Sequence, residues 1–171
     1  MARGRRWALG AAALGCWLAA GVARAHEPYE ITADARTSLT ETTLRLLIAG
    51  HTAALLCGPL PDATSAEAWR RCGGALFTVT GAAGRRLPVR AVTARVTVED
   101  DVAITVTFPP PGPGALRFEA TFLRRLADPL YGALLTVTGP GVFLGQKLLR
   151  ADAPSAVVVV PSPPTGESTN R

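Results

Sequence analysis

Histidine, methionine and aromatic residues are scarce in this 171-residue chain, which has two histidines, one methionine and only 6% Phe, Trp and Tyr combined. With His26 and His51 alone to draw on, a Ser-His-Asp triad has little material, and no G-x-S-x-G elbow precedes a helix. An enzyme is not expected. Acidic side chains are spread thinly too: Glu99, Asp100 and Asp101 form the one contiguous group, without the staggered oxygen spacing that wraps a calcium ion. The apolar stretch at 7–22 falls short of the ~20 residues needed to span a bilayer.

What is present near the start has the layout of an export leader. Arg3, Arg5 and Arg6 make a positive segment, residues 7–22 are apolar and Ala-rich, and Ala23-Arg24-Ala25 is an A-x-A-type cleavage site. Cleavage there leaves His26 first. The leader also explains the basic balance of 18 Lys and Arg against 13 Asp and Glu: residues 1–25 hold four arginines and no acid, so the remainder keeps 14 against 13. Without a basic stripe interleaved with aromatics, nucleic acid is not expected as a partner. Membrane attachment is expected only if the leader is retained or if Cys16, preceded by the small Gly15, is lipidated; Ala13 stands where such sites usually carry Leu. Either event would block the amine of His26.

Beyond the leader, Cys57 and Cys72 are the only cysteines. Their spacing is too wide for a redox CxxC, and two thiols alone do not make a structural zinc site. In the oxidising periplasm or outside the cell they are expected to form a disulfide rather than stay free. Closing a loop of that length would stabilise by ~3 kcal/mol in the chain-entropy account.

Alternation with period two dominates the rest. Residues 29–36 and 42–50 read as a hairpin, with Tyr29, Ile31, Ala33 and Ala35 set against Leu44, Leu46 and Ile48. A second hairpin places Val92, Ala94, Val96 and Val98 opposite Val102, Ile104, Val106 and Phe108, with residues 99–101 as its loop. Further strands are predicted at 75–81, 116–123, 132–139, 142–149 and 155–160. Within 142–149 Gly145 interrupts the pattern and signals a bulge or a close backbone approach. One helix is predicted over 65–72, opened by Thr64 and Glu67 at capping-box spacing and stopped by Gly73-Gly74. That puts the disulfide at a crossover, between the helix end and the preceding strand. The Pro-rich run 109–114 reads as a stiff connection, and 161–171 as a disordered tail. The fold expected is all-β: an antiparallel, Ig-like β-sandwich over 26–160 with one short helix in a crossover.

The first hairpin bears on the histidines. If Ala33 faces Leu44, His26 lies directly opposite His51; if Ala33 faces Leu46, the two are diagonal. Opposed Cβ atoms lie about 4.5 to 5.5 Å apart and diagonal ones roughly 7 to 8 Å, so in either register both imidazoles could reach one metal. An N-terminal histidine supplies an amine and a ring nitrogen, and a second imidazole gives a three-nitrogen set suited to Cu(II). This resembles the histidine brace of periplasmic CopC-like copper proteins, small β-sandwiches whose mature chain begins with His. The resemblance rests on His26, His51 and the fold class, and it implies copper binding. The oxidative polysaccharide-cleaving enzymes that share the brace carry a broad aromatic face, whereas Trp69 is the one tryptophan here after the leader.

The opening AHEPYEITADAR, followed by an alternating strand, also looks like the extracytoplasmic N-terminal domains of exported bacterial proteins, including those of HupE/UreJ-type membrane proteins. Taken together, the expectation is a periplasmic or secreted binding or structural module that meets an envelope protein partner and needs no cofactor. The alternative is a Cu(II)-binding periplasmic protein using His26 and His51. The arginine pairs at 70 and 71, 85 and 86, and 124 and 125 read as solvated surface.

Overall fold

A computed structural model describes residues 31–58, 66–98, 101–126 and 131–162. The leader, His26 and the tail from 163 onward lie outside them. Among these described residues nine strands form two sheets: β1 (Ile31–Thr37), β2 (Thr42–Ala49), β4 (Ala91–Val96), β5 (Asp101–Phe108), β7 (Gly132–Gly139) and β8 (Val142–Arg150) build a six-stranded sheet in the order β4-β5-β2-β1-β7-β8. β3 (Phe77–Thr80), β6 (Gly114–Ala120) and β9 (Ser155–Val160) build the other, in the order β3-β6-β9. Two helices, α1 (Gly50–Cys57) and α2 (Ala66–Leu76), lie between β2 and β3.

The hairpin of β1 and β2 forms because its polar link closes on itself. Ser38 Oγ accepts the amides of Thr40 and Glu41 at 3.2 and 3.1 Å, and the Ser38 amide donates to the Glu41 carbonyl at 2.8 Å. A serine hydroxyl holding two downstream amides imitates a backbone turn. The register that follows sets Ile31 opposite Ile48 and Ala33 opposite Leu46, the diagonal of the two alternatives.

Alternation then sorts the faces. Ile31, Ala33, Ala35, Leu44, Leu46, Ile48, Val102, Ile104 and Val106 are all buried and share one core with Leu116, Phe118 and Ala156 of the smaller sheet. Burying each large aliphatic or aromatic side chain contributes about 1.5 to 3 kcal/mol. Phe77 and Phe122 meet in this core with tilted rings, centroids 5.7 Å apart. In the second hairpin the expected parity holds for β5. On β4 only Val92 and Ala94 are half-buried, while Val96 and Val98 are exposed: β4 is an edge strand, and at Val98 the chain has left the ladder. Asp101 is the first residue of β5 rather than part of the loop.

Three further expectations need correction. The six-stranded sheet is mixed, because β7 runs parallel to β1, pairing Ile31 with Ala133 and Ala35 with Val137. Period-two burial looks the same in either direction, so the sequence pattern carries no sign of this. The described residues hold two α-helices instead of one. And Gly73-Gly74 does not end α2, which continues to Leu76 and passes directly into β3.

Gly73 has a different task. A Cβ there would sit 2.7 Å from Val92 Cγ1 and 2.9 Å from Ile104 Cγ2, so α2 lies on β4 and β5 only because that carbon is missing. At Gly145 the bulge reading holds, since the β7–β8 register shifts by one residue between Val137 and Thr138; the close neighbour there is a side chain, with Val158 Cγ1 3.2 Å from where a Cβ would sit. The Pro-rich link carries the chain from β5 in the larger sheet to β6 in the smaller, as a stiff connection should. Strand ends elsewhere shift by up to three residues. The predicted strand at 75–81 loses Ala75 and Leu76 to α2, and the one at 116–123 starts at Gly114 and stops at Ala120.

Candidate functional site

His51 is not on the β1–β2 ladder. The strand ends at Ala49, and His51 is the second residue of α1, exposed to solvent. The chain turns helical because α1 can bury Thr52, Ala53 and Leu56 under the end of the sheet, a gain that a longer strand would forgo. His26, the other half of the expected chelate, lies outside the described residues. Among the described residues no three His, Cys, Asp or Glu side chains gather in a way that could hold a metal ion.

Cys57 and Cys72 are joined, with Cα atoms 5.4 Å apart. The bridge links the last residue of α1 to the middle of α2, so it ties two helices together rather than a helix to a strand. Beside it, the Arg125 guanidinium donates to the Leu56 carbonyl at 2.9 Å, supplying a cation and a donor at the C-terminal end of α1. Sequence reasoning placed Arg124 and Arg125 together on the surface; the partner of Arg125 is 69 positions away and belongs to a helix that the strand pattern concealed.

The feature that sequence reasoning missed is the outer face of the larger sheet. The pairings put Thr93, Thr105, Arg45, Asp34, Thr136 and Gln146 in one row across all six strands. Thr32, Thr43, Thr107 and Thr138 occupy adjoining rows, so the face carries seven threonines. Asp34 and Arg45 are exposed although β1 and β2 are the middle strands, which means that the centre of this face is open among the described residues. The Gln146 amide donates to Thr136 Oγ1 at 2.9 Å, and Thr138 Oγ1 donates to the Ala35 carbonyl at 3.3 Å. A signal existed in the sequence, since the strand residues between the inward positions are so often threonine; only the strand order gathers them.

Among the described residues two depressions stand out. One, of about 320 Å³, lies on this outer face and is lined by Arg45, Thr93, Ala94, Arg95, Ala103 and Thr105. Ala103, 5% exposed, allows it, since a larger side chain there would fill the space between the arginines. The other, of about 140 Å³, sits where the sheets meet at β8 and β9, between Leu144, Val158 and Lys147, whose ammonium crosses the seam to the Ser155 carbonyl at 3.0 Å. No helix among the described residues is long and apolar enough to cross a membrane. No family model matches the chain, and neither does any curated protein.

Proposed function

We propose that this chain is an exported module of the bacterial envelope, an Ig-like β-sandwich that binds an envelope component without catalysis, through the outer face of its six-stranded sheet. The observation that carries the reading is the composition of that face. An antiparallel sheet commonly leaves one side to water, and a side meant only for solvation is usually furnished with long charged residues. Here, among the described residues, the strands present seven threonines beside four arginines, Arg36, Arg45, Arg95 and Arg150, and no lysine or glutamate. Threonine is stiff at χ1, so a face built from it gives up little side-chain entropy when a ligand settles on it. The leader pattern and the disulfide support an oxidising location.

Sedimentation with washed envelopes from cells lacking the protein tests this. The wild type is expected to co-sediment, as is Thr78→Glu on the smaller sheet, whereas Thr32→Glu/Thr136→Glu is expected to stay in the supernatant. Equal sedimentation of all three would refute the assignment of the face, and a protein recovered in the cytoplasm with its leader attached would refute export.

A further inference from the structure

Arg45 and Arg95 flank the larger depression diagonally across β5, with the hydroxyls of Thr93 and Thr105 beside them. Among the described residues neither guanidinium makes a hydrogen bond or an ion pair; the ion pair found there is the exposed Arg70–Glu67 contact at 3.4 Å. Asp34 is the cross-strand neighbour of Arg45, yet the two do not close. Two unengaged forks of donors beside Ala94 and Ala103 form a receptor for a planar oxyanion, since a guanidinium matches a carboxylate through two parallel hydrogen bonds.

We propose that this depression and the row running from it hold an acidic polysaccharide, with one uronic-acid carboxylate seated between Arg45 and Arg95 and the hydroxyls of neighbouring sugars along the threonine row. The inference rests on the open-face reading and names its ligand. Three observations select this class. The row crosses six strands, about 24 Å at the usual strand spacing, which suits an extended polymer better than a free ion. Asp34 stands beside Arg45 in the row, so a polymer with continuous negative charge is repelled there, while one with spaced carboxylates and free hydroxyls can donate to it. The apolar side chains Leu47, Leu134 and Leu148 are half-buried and broken by Thr32, and the aromatic on this face, Phe143, stands at the distant β7–β8 turn. Protein interfaces centre on a buried apolar and aromatic patch, and single-stranded nucleic acids on stacking platforms; this face offers neither.

Calorimetry with oligogalacturonate, read alongside the threonine methyl signals in NMR, tests the inference. Affinity is expected to fall about tenfold in Arg45→Gln and again in Arg95→Gln, the loss of one charge-assisted hydrogen bond or more each. Arg85→Gln, which removes the same charge from a distant turn, should change affinity less than twofold. The methyl-esterified oligomer should not bind, binding should weaken as salt rises, and the methyls of Thr93, Thr105 and Thr136 should shift. Absence of binding to oligogalacturonate, equal losses in Arg85→Gln, or polyphosphate binding as tightly would each overturn the proposal. Shifts at Thr32 and Thr138 with no effect of the two arginine variants would overturn the arginine assignment and leave the open face standing. Shifts confined to Thr78 and Thr80 would overturn both.

Discussion

Two adjacent glycines in α2 separate two uses of a missing side chain. Gly73→Ala forces a methyl group against Val92 and Ile104 at under 3 Å and should destabilise by about 1 to 3 kcal/mol, as overpacking does. Gly74→Ala places its carbon 3.5 Å from Val89, an ordinary contact, and should stabilise by about 0.5 to 1 kcal/mol, since a helix-interior alanine loses less backbone entropy. Urea midpoints for the two variants should therefore move in opposite directions. The sequence shows that Gly73 lacks a side chain but not what needs the space, so a helix stop was the natural reading. His51 belongs to the same scale. With its imidazole on the exposed start of α1, the module reading predicts that wild type and His51→Ala bind Cu(II) equally and weakly in a titration followed by absorbance. A loss of tenfold or more in His51→Ala would favour the copper-binding alternative.

At the scale of elements, α1 depends on its surroundings. Eight residues are fewer than an isolated helix needs, and its N-cap, Ala49, provides no side-chain hydrogen bond. What holds it is the burial of Thr52, Ala53 and Leu56, the bridge from Cys57 and the Arg125 donor. Arg125→Ala should cost about 1 kcal/mol, visible as a lower melting temperature. Replacing both cysteines by alanine should cost about 3 kcal/mol for a separation of 15 residues, and adding reductant to the wild type should reproduce most of that loss. Nothing local marks this helix, because GHTAALLC, apolar apart from His51 and Thr52, has no polar face to set a helical period. By contrast, β7 and β9 were legible to the residue, since glycine or serine opens each and glycine or proline closes it or follows it.

At the scale of the molecule, most of the strands and the inward residues could be read from alternation, whereas their order could not. Burial period records that a strand has a wet side and a dry side; it does not record its neighbours or their direction, so the parallel union of β1 and β7 was invisible. The outer face was hidden for the same reason. Thr93, Thr105, Arg45, Asp34, Thr136 and Gln146 are scattered over more than a hundred positions and meet only when six strands assemble. The proposed binding role rests on that assembly, and the proposed export on the leader pattern and the disulfide.

In-cell photo-crosslinking tests that surface most directly. A photoreactive amino acid at Thr136 should give discrete adducts with envelope material on irradiation of intact cells, and the same residue at Thr78 should give none. Adducts from Thr78 alone, or from neither position in correctly exported protein, would contradict the account.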